Sequence, residues 1–207
     1  MAGAKPRGKF ITLEGVDGAG KSTHIPWIVE RLRSGGREVV VTREPGGTPL
    51  AEKLRARVLA EAMDPVAETK LMFEARADHV EKVIAPALAS GAWVVCDRFT
   101  DSTIAYQGAG KGVDRALIDE LARKVHPHLR PDLTLVFDAT YTVSSHRLAN
   151  SGRVLDRFEA EGSGFFERVL AAYLGLAKAE PRRVRLIDGT EPPERVKEKI
   201  EKIIATL

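Results

Sequence analysis

Five short apolar runs alternate with longer stretches of helical periodicity along the chain. The runs are KFITLEG, REVVVT, AWVVCD, LTLVFD and VRLID. Runs that are apolar without alternation are typical of strands buried on both faces of a sheet. Strands that alternate with helices predict a parallel sheet covered by helices on both faces. The expected fold is therefore a three-layer α/β fold with a five-stranded parallel sheet.

The last predicted helix carries a clear apolar stripe. Its apolar positions recur at spacings of three and four, which places them on one helix face against the sheet. They are Val196, Ile200, Ile203, Ile204 and Leu207. At 207 residues with 43% hydrophobic content, the chain can form one substantial core and is too short for two comfortable domains. We expect a single domain over residues 1–207, in which the Gly-rich piece QGAGKG at 107–112 predicts a surface turn.

Composition argues against several classes of protein. The formal net charge is only +3 and the longest basic cluster, Arg182, Arg183 and Arg185, is short, whereas nucleic-acid binders concentrate Lys and Arg in a stripe or tail. The apolar stretch near the N-terminus is only FITL, which is neither a signal sequence nor a membrane span. Cys96 is the single cysteine, which is compatible with the cytosol. We expect a cytoplasmic protein that binds neither nucleic acid nor a membrane.

A phosphate-binding loop stands at residues 15–22. The sequence GVDGAGKS satisfies the pattern G-x-x-x-x-G-K-[ST] between a predicted strand and a predicted helix. Its glycines allow backbone N–H groups to turn toward a β-phosphate, and the N-terminal end of the helix adds positive potential. Lys21 is expected to reach the β- and γ-phosphates, and Ser22 to bind Mg²⁺. The predicted contacts of a nucleoside triphosphate are Gly15, Val16, Asp17, Gly18, Ala19, Gly20, Lys21, Ser22 and Thr23.

This loop alone does not distinguish among GTPases, motor proteins and small-molecule kinases. GTPases usually read guanine with an Asn-Lys-x-Asp motif, but the single Asn of this chain is Asn150, which is followed by Ser151. A guanine switch is therefore not expected. A kinase for another nucleoside monophosphate or a nucleoside stays open as an alternative, and so does an ATPase that acts on a macromolecule, because the fold does not separate them.

Four segments together resemble thymidylate kinases. They are, in chain order, GVDGAGKST at 15–23, TREPGGT at 42–48, CDRF at 96–99 and AYQG at 105–108. The resemblance extends across nearly the whole chain and implies a P-loop kinase fold. It implies transfer of the γ-phosphoryl group of ATP to dTMP, with Mg²⁺ as the cofactor and the two nucleotides as the partners. It also implies a homodimer, since thymidylate kinases are commonly dimeric.

The Asp-Arg pair of CDRF comes at the carboxyl end of the third predicted strand, where ligands bind to open α/β sheets. The resemblance places Asp97 near the Mg²⁺ and Arg98 on the phosphate of the acceptor nucleotide. An Arg suits that role because its planar guanidinium can bond two phosphate oxygens. A structural ion pair at a strand end is the alternative. No general base is expected, because the second pKa of a phosphate monoester is about 6.

The stretch LMFEARADHVEKVIAPAL predicts a helix with an apolar stripe that Arg76 interrupts. Phe73 and Arg76 share one face of that helix, and the resemblance assigns both of them to the thymine ring. A core Phe with an Arg that reaches the surface is the alternative. Many thymidylate kinases place this Arg four residues after the Phe, and here it comes three after. By the same resemblance, the further acceptor contacts are Asp17, Glu44, Arg55, Arg98, Thr103, Tyr106 and Gln107.

The segment HRLANSGRVLDRFE at 146–159 corresponds by resemblance to a lid over the bound nucleotides. Some thymidylate kinases carry an Arg in the P-loop directly after the acidic residue, but that position is Gly18 here. The charge that stabilises the transferring phosphoryl group is therefore expected from the lid. Arg153 is predicted to supply it and Arg147 to lie beside adenine, and a solvated loop with ordinary surface arginines is the alternative. The full predicted catalytic set is Asp17, Lys21, Arg98 and Arg153.

Overall fold

A five-stranded parallel sheet forms the centre of the fold. The computed structural model describes residues 6–152, 154 and 156–207. Within them the strands are Phe10–Gly15 (β1), Val39–Arg43 (β2), Trp93–Asp97 (β3), Leu133–Asp138 (β4) and Val184–Asp188 (β5). They are ordered β2-β3-β1-β4-β5, and every neighbouring pair is parallel. The predicted α/β fold is confirmed, and the five strands coincide with the five apolar runs.

Helices flank the sheet. They are Lys21–Ser34 (α1), Pro49–Ala60 (α2), Pro65–His79 (α3), Ala85–Ala89 (α4), Thr100–Thr103 (α5), Arg115–Val125 (α6), Tyr141–Ala149 (α7), Ser163–Ala179 (α8) and Pro193–Ile204 (α9). A π-helical turn at Val80–Ile84 joins α3 to α4, and a second at Ile104–Gly110 extends α5. In the part of the chain that the structure describes, no helix combines the length and the apolar character that crossing a membrane requires.

Two helices that carry predicted site residues begin at side-chain caps. Thr48 accepts a hydrogen bond from the backbone N–H of Ala51 at the start of α2. Asp64 accepts from the N–H groups of Val66 and Ala67 at the start of α3. Each cap satisfies donors that the first helical turn leaves unpaired, which stabilises a helix by about 1 kcal/mol. These caps fix where α2 and α3 begin.

A crevice opens beside the carboxyl end of β1. Leu13 of β1 lies opposite Asp97 of β3, and Gly15 lies opposite Phe137 of β4. The connection after β1 runs toward β2 at one edge of the sheet, and the connection after β3 runs in the opposite direction, toward β4. The loops after β1 and β3 therefore diverge, and ligands of open α/β sheets bind at such a point.

Two expectations about burial were wrong. The outer strands are not buried on both faces, because Val41 of β2 is 46% exposed and Leu186 of β5 is 45% exposed. A strand at the edge of the sheet has a neighbour on one side only, and its outer residues are covered less. The QGAGKG piece is not a surface turn either, because Gln107 and Gly110 are buried in the π-helical turn. A Cβ on Gly110 would lie 2.4 Å from the ring of Phe165, so glycine serves here to let α8 pack closely.

Candidate active site

The residues between β1 and α1 form a phosphate-binding loop. Gly15 has φ 124°, and a Cβ there would lie 2.3 Å from the carbonyl oxygen of Phe137, so only glycine fits. Lys21 is buried and donates to the carbonyl oxygens of Gly15 and Val16, both at 3.1 Å. Burial, and then the positive charge of Arg98, lower the pKa of Lys21. An anion beside this amine would favour its charged form, so the loop is suited to phosphate.

A cleft of about 620 Å³, called the large cleft below, opens beside this loop. It is lined by Lys21, Ser22, Thr23 and, from the end of β3, Asp97. The Oδ1 atom of Asp97 is buried and has no hydrogen-bond partner. In residues 6–152, 154 and 156–207, no three His, Cys, Asp or Glu side chains are grouped for a metal ion. One carboxylate with one hydroxyl nevertheless fits Mg²⁺, which typically takes one or two carboxylates and completes its shell with phosphates and waters.

Arg147 of α7 also lines the large cleft, beside the phosphate-binding loop. Its Nη1 donates to the carbonyl oxygens of Gly18 at 3.2 Å and Ala19 at 3.3 Å, and its Nη2 donates to that of Gly189 at 2.8 Å. The three bonds connect α7 to the loop and to the end of β5. The predicted position of Arg147 at the nucleoside triphosphate site is consistent with this placement.

Arg98 adopts an unusual backbone conformation directly after β3. Its φ is 72°, and no other non-glycine residue in the described ranges has a positive φ. Its Nη2 donates to Oδ1 of Asp17 at 2.7 Å and to the hydroxyl of Tyr106 at 3.1 Å, while Nη1 donates to Oγ of Ser102 at 3.1 Å. Burial alone would raise the pKa of Asp17, but Arg98 and Lys21 hold it well below its usual range. Such backbone strain, about 1–3 kcal/mol, is common at functional sites.

Glu14, which no sequence motif indicated, is connected to Arg98 through Ser102. Glu14 is fully buried on β1 and accepts hydrogen bonds from Ser102 Oγ, from the Tyr173 hydroxyl at 3.0 Å and from the Phe99 N–H at 2.8 Å. Burial, and then the negative charge of Asp101, raise its pKa to about 7. The signal in the sequence was a carboxylate inside the otherwise apolar run KFITLEG. A charge placed there must be satisfied by partners in the interior.

A second cavity of about 90 Å³, called the small pocket below, adjoins the large cleft at Asp17, which lines both. Every residue predicted to contact an acceptor nucleotide lines this pocket except Phe73. Asp17, Glu44, Pro45, Arg55, Leu59, Met72, Arg76, Arg98, Phe99, Ser102, Thr103, Tyr106, Gln107, Asp156 and Phe158 line it. The tertiary structure thus collects residues from α2, α3, α5 and the loops after β1, β2 and β3 around one space.

Arg76 is held at the small pocket by a buried ion pair. Its Nε donates to Oε2 of Glu44 at 2.6 Å and its Nη2 donates to Oγ1 of Thr103 at 3.1 Å. His79, which no sequence motif indicated, contacts Oε1 of Glu44 through Nδ1 at 2.9 Å and Thr42 through Nε2 at 2.7 Å. Although burial opposes it, Arg76 lowers the pKa of Glu44. The remaining nitrogen, Nη1 of Arg76, is buried without a partner and is a free donor at this site.

Phe73 lies behind Arg76 instead of in the small pocket. It belongs to a buried cluster with Val113 and Ile118, and the guanidinium of Arg76 lies 4.6 Å from the centre of its ring. Met72 lines the pocket in its place. Met72 and Arg76 are four residues apart on α3, which is one helical turn, so they present neighbouring side chains to the same space.

Arg55 lines the small pocket from α2. Its Nη1 donates to the carbonyl oxygen of Pro45 at 3.0 Å, and the Glu44-Pro45 peptide bond is cis. Burial, and then the positive charge of Arg43, lower the pKa of Arg55. Like Lys21, this side chain lacks a nearby anion strong enough to offset its burial, so an acceptor phosphate would favour its charged form.

Segment 146–159 contains two arginines that the structure describes, Arg147 and Arg157, and they lie in different places. Arg147 contacts the phosphate-binding loop, as described above. Arg157 donates through Nε to the carbonyl oxygen of Val58 at 2.5 Å and pairs through Nη2 with Glu68. Arg153, the predicted catalytic arginine of the lid, lies outside the described residues.

Comparison with known proteins decides what the site belongs to. A sequence profile of the thymidylate kinase family matches residues 13–200. The chain belongs to the thymidylate kinase family. It is 54% identical over 202 residues to the thymidylate kinase of Bordetella pertussis, which covers 98% of this chain and 97% of the relative. It is 55% identical over 194 residues to that of Methylobacillus flagellatus, with 94% and 95% covered.

A solved structure of a thymidylate kinase has the same fold as this chain. The crystal structure of thymidylate kinase from Ehrlichia chaffeensis has a TM-score of 0.78 and 34% sequence identity to this chain, and it covers 97% of this chain and 99% of that one. As a thymidylate kinase, the enzyme transfers the γ-phosphoryl group of ATP to dTMP and yields dTDP and ADP, a step of nucleotide biosynthesis. The function expected from the four motifs is confirmed.

Proposed function

We propose that ATP binds in the large cleft, that dTMP binds in the small pocket, and that the phosphoryl group passes between them beside Asp17. The observation that carries this proposal is the position of Asp17, which lines both cavities and holds Arg98 at 2.7 Å. Transfer requires the two nucleotides to meet end to end, since the attacking and leaving oxygens must be roughly in line. The cavities adjoin where the basic side chains Lys21 and Arg98 converge.

On the donor side, the residues of the phosphate-binding loop and Thr23 would bind the triphosphate. Lys21 would exchange its bonds to Gly15 and Val16 for the β- and γ-phosphates, and Arg147 would lie beside adenine. Ser22 and the unpaired Oδ1 of Asp97 would hold Mg²⁺. When bound, this ion neutralises the charge of the phosphates and orients them.

On the acceptor side, Arg98 and Arg55 would bind the phosphate of dTMP. The phosphate would replace Asp17 as the partner of Arg98. The buried guanidinium would therefore exchange one anionic partner for another and would not be left buried without one. A phosphate monoester is largely deprotonated at neutral pH, because its second pKa is about 6, and no protein base has to remove a proton. The chain contributes positive charge and orientation, which are the main requirements of phosphoryl transfer.

The base would be read by the far side of the small pocket. Nη1 of Arg76 is a buried donor without a partner, and a pyrimidine carbonyl oxygen would satisfy it. Met72 would contact the ring in the role predicted for Phe73, because Met72 lines the pocket and Phe73 does not. Thr103, Tyr106 and Gln107 would complete the contacts with base and sugar.

An assay with ATP, Mg²⁺ and each nucleoside monophosphate tests this proposal, with ADP release as the readout. We expect dTMP to be phosphorylated most efficiently. Lys21→Ala should lower kcat by at least about 10²-fold, since it removes a positive charge that stabilises the transition state. A matched control is Lys202→Ala on α9, far along the chain from the loop. More efficient turnover of another monophosphate at equal concentration would contradict the acceptor assignment.

Three further expectations stay predictions. They are the single-domain organisation with a lid at 146–159, the cytoplasmic location and the homodimer. The last is tested by sedimentation velocity at enzyme concentrations from nanomolar to micromolar. A species of one chain at every concentration would contradict it.

A further inference from the structure

A fully buried carboxylate connects α3 to two other segments near the small pocket. Glu68 lies on α3, one turn before Met72, and is 0% exposed. Its Oε1 accepts from Nε2 of Gln107 at 2.8 Å. Its Oε2 accepts from Nζ of Lys111 at 2.8 Å and from Nη2 of Arg157. A buried carboxylate is tolerated when its lone pairs are satisfied in this way, and removal of one partner is costly.

The two cations on Glu68 also enclose an aromatic ring. Nζ of Lys111 lies 4.4 Å from the centre of the Phe158 ring, and the guanidinium carbon of Arg157 lies 4.3 Å from it. Both distances are within the range of favourable cation–π contacts. Phe158 in turn packs edge-on against Tyr106, with ring centres 6.1 Å apart. The position of Phe158 therefore depends on the cations that Glu68 holds.

The segment held in this way forms part of the small pocket. Asp156 and Phe158 both line it. Oδ1 of Asp156 accepts from the backbone N–H groups of Phe158 and Glu159 at 2.9 and 3.0 Å, which closes a tight turn around Arg157. Arg157 points from this turn to α3, so the turn is connected to the helix that carries Met72 and Arg76.

We infer that Glu68 is a positioning residue for the acceptor, which holds the Asp156–Phe158 turn as a wall of the small pocket. The inference rests on the proposed binding of dTMP in that pocket. Glu68 has no need to touch the nucleotide. It acts through Arg157 and Lys111 on the wall, and through Gln107 on the pocket lining, because a carboxylate only accepts and so directs the Nε2 end of the Gln107 amide toward itself.

The first test is Glu68→Gln, which keeps the shape of the side chain and removes the charge that gathers the two cations. We expect the KM for dTMP to rise about tenfold, while the KM for ATP and kcat change by less than about twofold. Asp132→Asn is the control, because this carboxylate also pairs with an arginine, Arg7, and accepts the backbone N–H of Phe10 at 2.8 Å, but lies at the amino end of β4. Its kinetics should match those of the wild type.

Variants of Arg157 and Lys111, the cations that pair with Glu68, test the same role. Arg157→Gln should raise the KM for dTMP to a similar extent, and Glu68→Gln combined with Arg157→Gln should resemble either single variant, because both remove one connection. If Glu68→Gln does not fold, Arg157→Gln and Lys111→Met carry the test by themselves. In each case circular dichroism establishes that the variant is folded before its kinetics are compared.

Several outcomes would overturn the inference. An unchanged KM for dTMP in folded variants would do so, and so would an equal rise in the KM values for dTMP and ATP. Changes in the KM for dTMP that multiply in the double variant would show that Glu68 and Arg157 act independently. A fall in kcat alone for Arg157→Gln would place Arg157 on the transferring phosphoryl group. Failure of the proposed dTMP site would look different, since the KM for dTMP would then stay unchanged in Arg98→Lys and Met72→Ala as well, whose side chains line the pocket directly.

Discussion

Nη2 of Arg98 lies 2.7 Å from Oδ1 of Asp17, and this pair stands at the junction of the two cavities. The guanidinium also lies 4.8 Å from the centre of the Tyr106 ring, whose hydroxyl donates to Oδ2 of Asp17 at 3.1 Å. In the proposed binding mode, the acceptor phosphate replaces this carboxylate beside Arg98. The three side chains form a preorganised anion site whose present anion belongs to the protein.

Arg98→Lys should lower the catalytic efficiency with dTMP specifically. A lysine keeps the charge but cannot reproduce the planar fork that bonds two oxygens at once. Charge-assisted hydrogen bonds contribute about 1.5–3 kcal/mol each, so we expect kcat/KM for dTMP to fall by about tenfold to hundredfold. The KM for ATP should change by less than about threefold. Steady-state kinetics with each nucleotide varied in turn measure this, and a kcat/KM for dTMP within twofold of the wild type would remove Arg98 from the acceptor site.

Substitution of Met72 should affect dTMP binding, whereas substitution of Phe73 should affect the stability of the fold. Met72→Ala removes apolar surface from the small pocket and should raise the KM for dTMP about fivefold, since about 1 kcal/mol of contact is lost. Phe73→Leu should change both KM values by less than about twofold, because Glu44 and Thr103 still hold Arg76 when the ring beside it is lost. It should lower the free energy of unfolding by about 1 kcal/mol, because Phe73 packs in the buried cluster with Val113 and Ile118. Kinetics and urea unfolding of the two variants decide this. The opposite pattern would return the base contact to Phe73.

Glu14→Gln should change how stability depends on pH. Burial raises the pKa of Glu14 from 4.5 to about 7, so the folded state binds this proton more tightly than the unfolded state does. The stabilisation is complete below pH 4.5 and is lost as the pH rises through 7. Since each pKa unit corresponds to 1.36 kcal/mol, the stability of the wild type relative to Glu14→Gln should fall by at most about 3 kcal/mol across this interval.

Urea unfolding of both proteins from pH 5 to pH 8 measures that difference. Glu201→Gln is the control, because this carboxylate is exposed on α9 and pairs with Arg31 at 2.7 Å. Its stability should run parallel to that of the wild type at every pH. Parallel curves for Glu14→Gln as well would mean that Glu14 ionises as freely in the folded protein as in the unfolded chain.

Arg153→Ala tests the lid prediction that lies outside the described residues. Because Gly18 stands where some relatives carry a P-loop arginine, the lid is expected to supply the charge on the transferring group. Arginines that enter phosphoryl-transfer sites contribute about 10³ to 10⁵ in kcat, so a loss of at least about 10²-fold is expected with modest change in either KM. A loss under about tenfold would reject Arg153. Arg147→Ala provides the comparison, since it should act mainly on the KM for ATP.

The residues whose placement in the fold was predicted from sequence are those whose surroundings are local in the chain. GVDGAGKS needs only a strand before it and a helix after it, and the structure provides β1 and α1 at those places. Arg98 follows directly from the end of β3. Glu68 and His79 were missed because their partners are 39 and 35 residues away, at Gln107 and Glu44, and no spacing within α3 reveals those contacts.

The sequence by itself determined the order of the strands and helices, the phosphate-binding loop and the family, because apolar period and short motifs express interactions between residues close together in the chain. The tertiary structure decided which of two adjacent side chains, Met72 or Phe73, faces the small pocket, and that Arg157 pairs with buried Glu68. A period of 3.6 residues leaves neighbouring positions of a helix about 100° apart, so helical rotation against the sheet chooses between them. That rotation is set by packing against distant residues, which the local pattern does not contain.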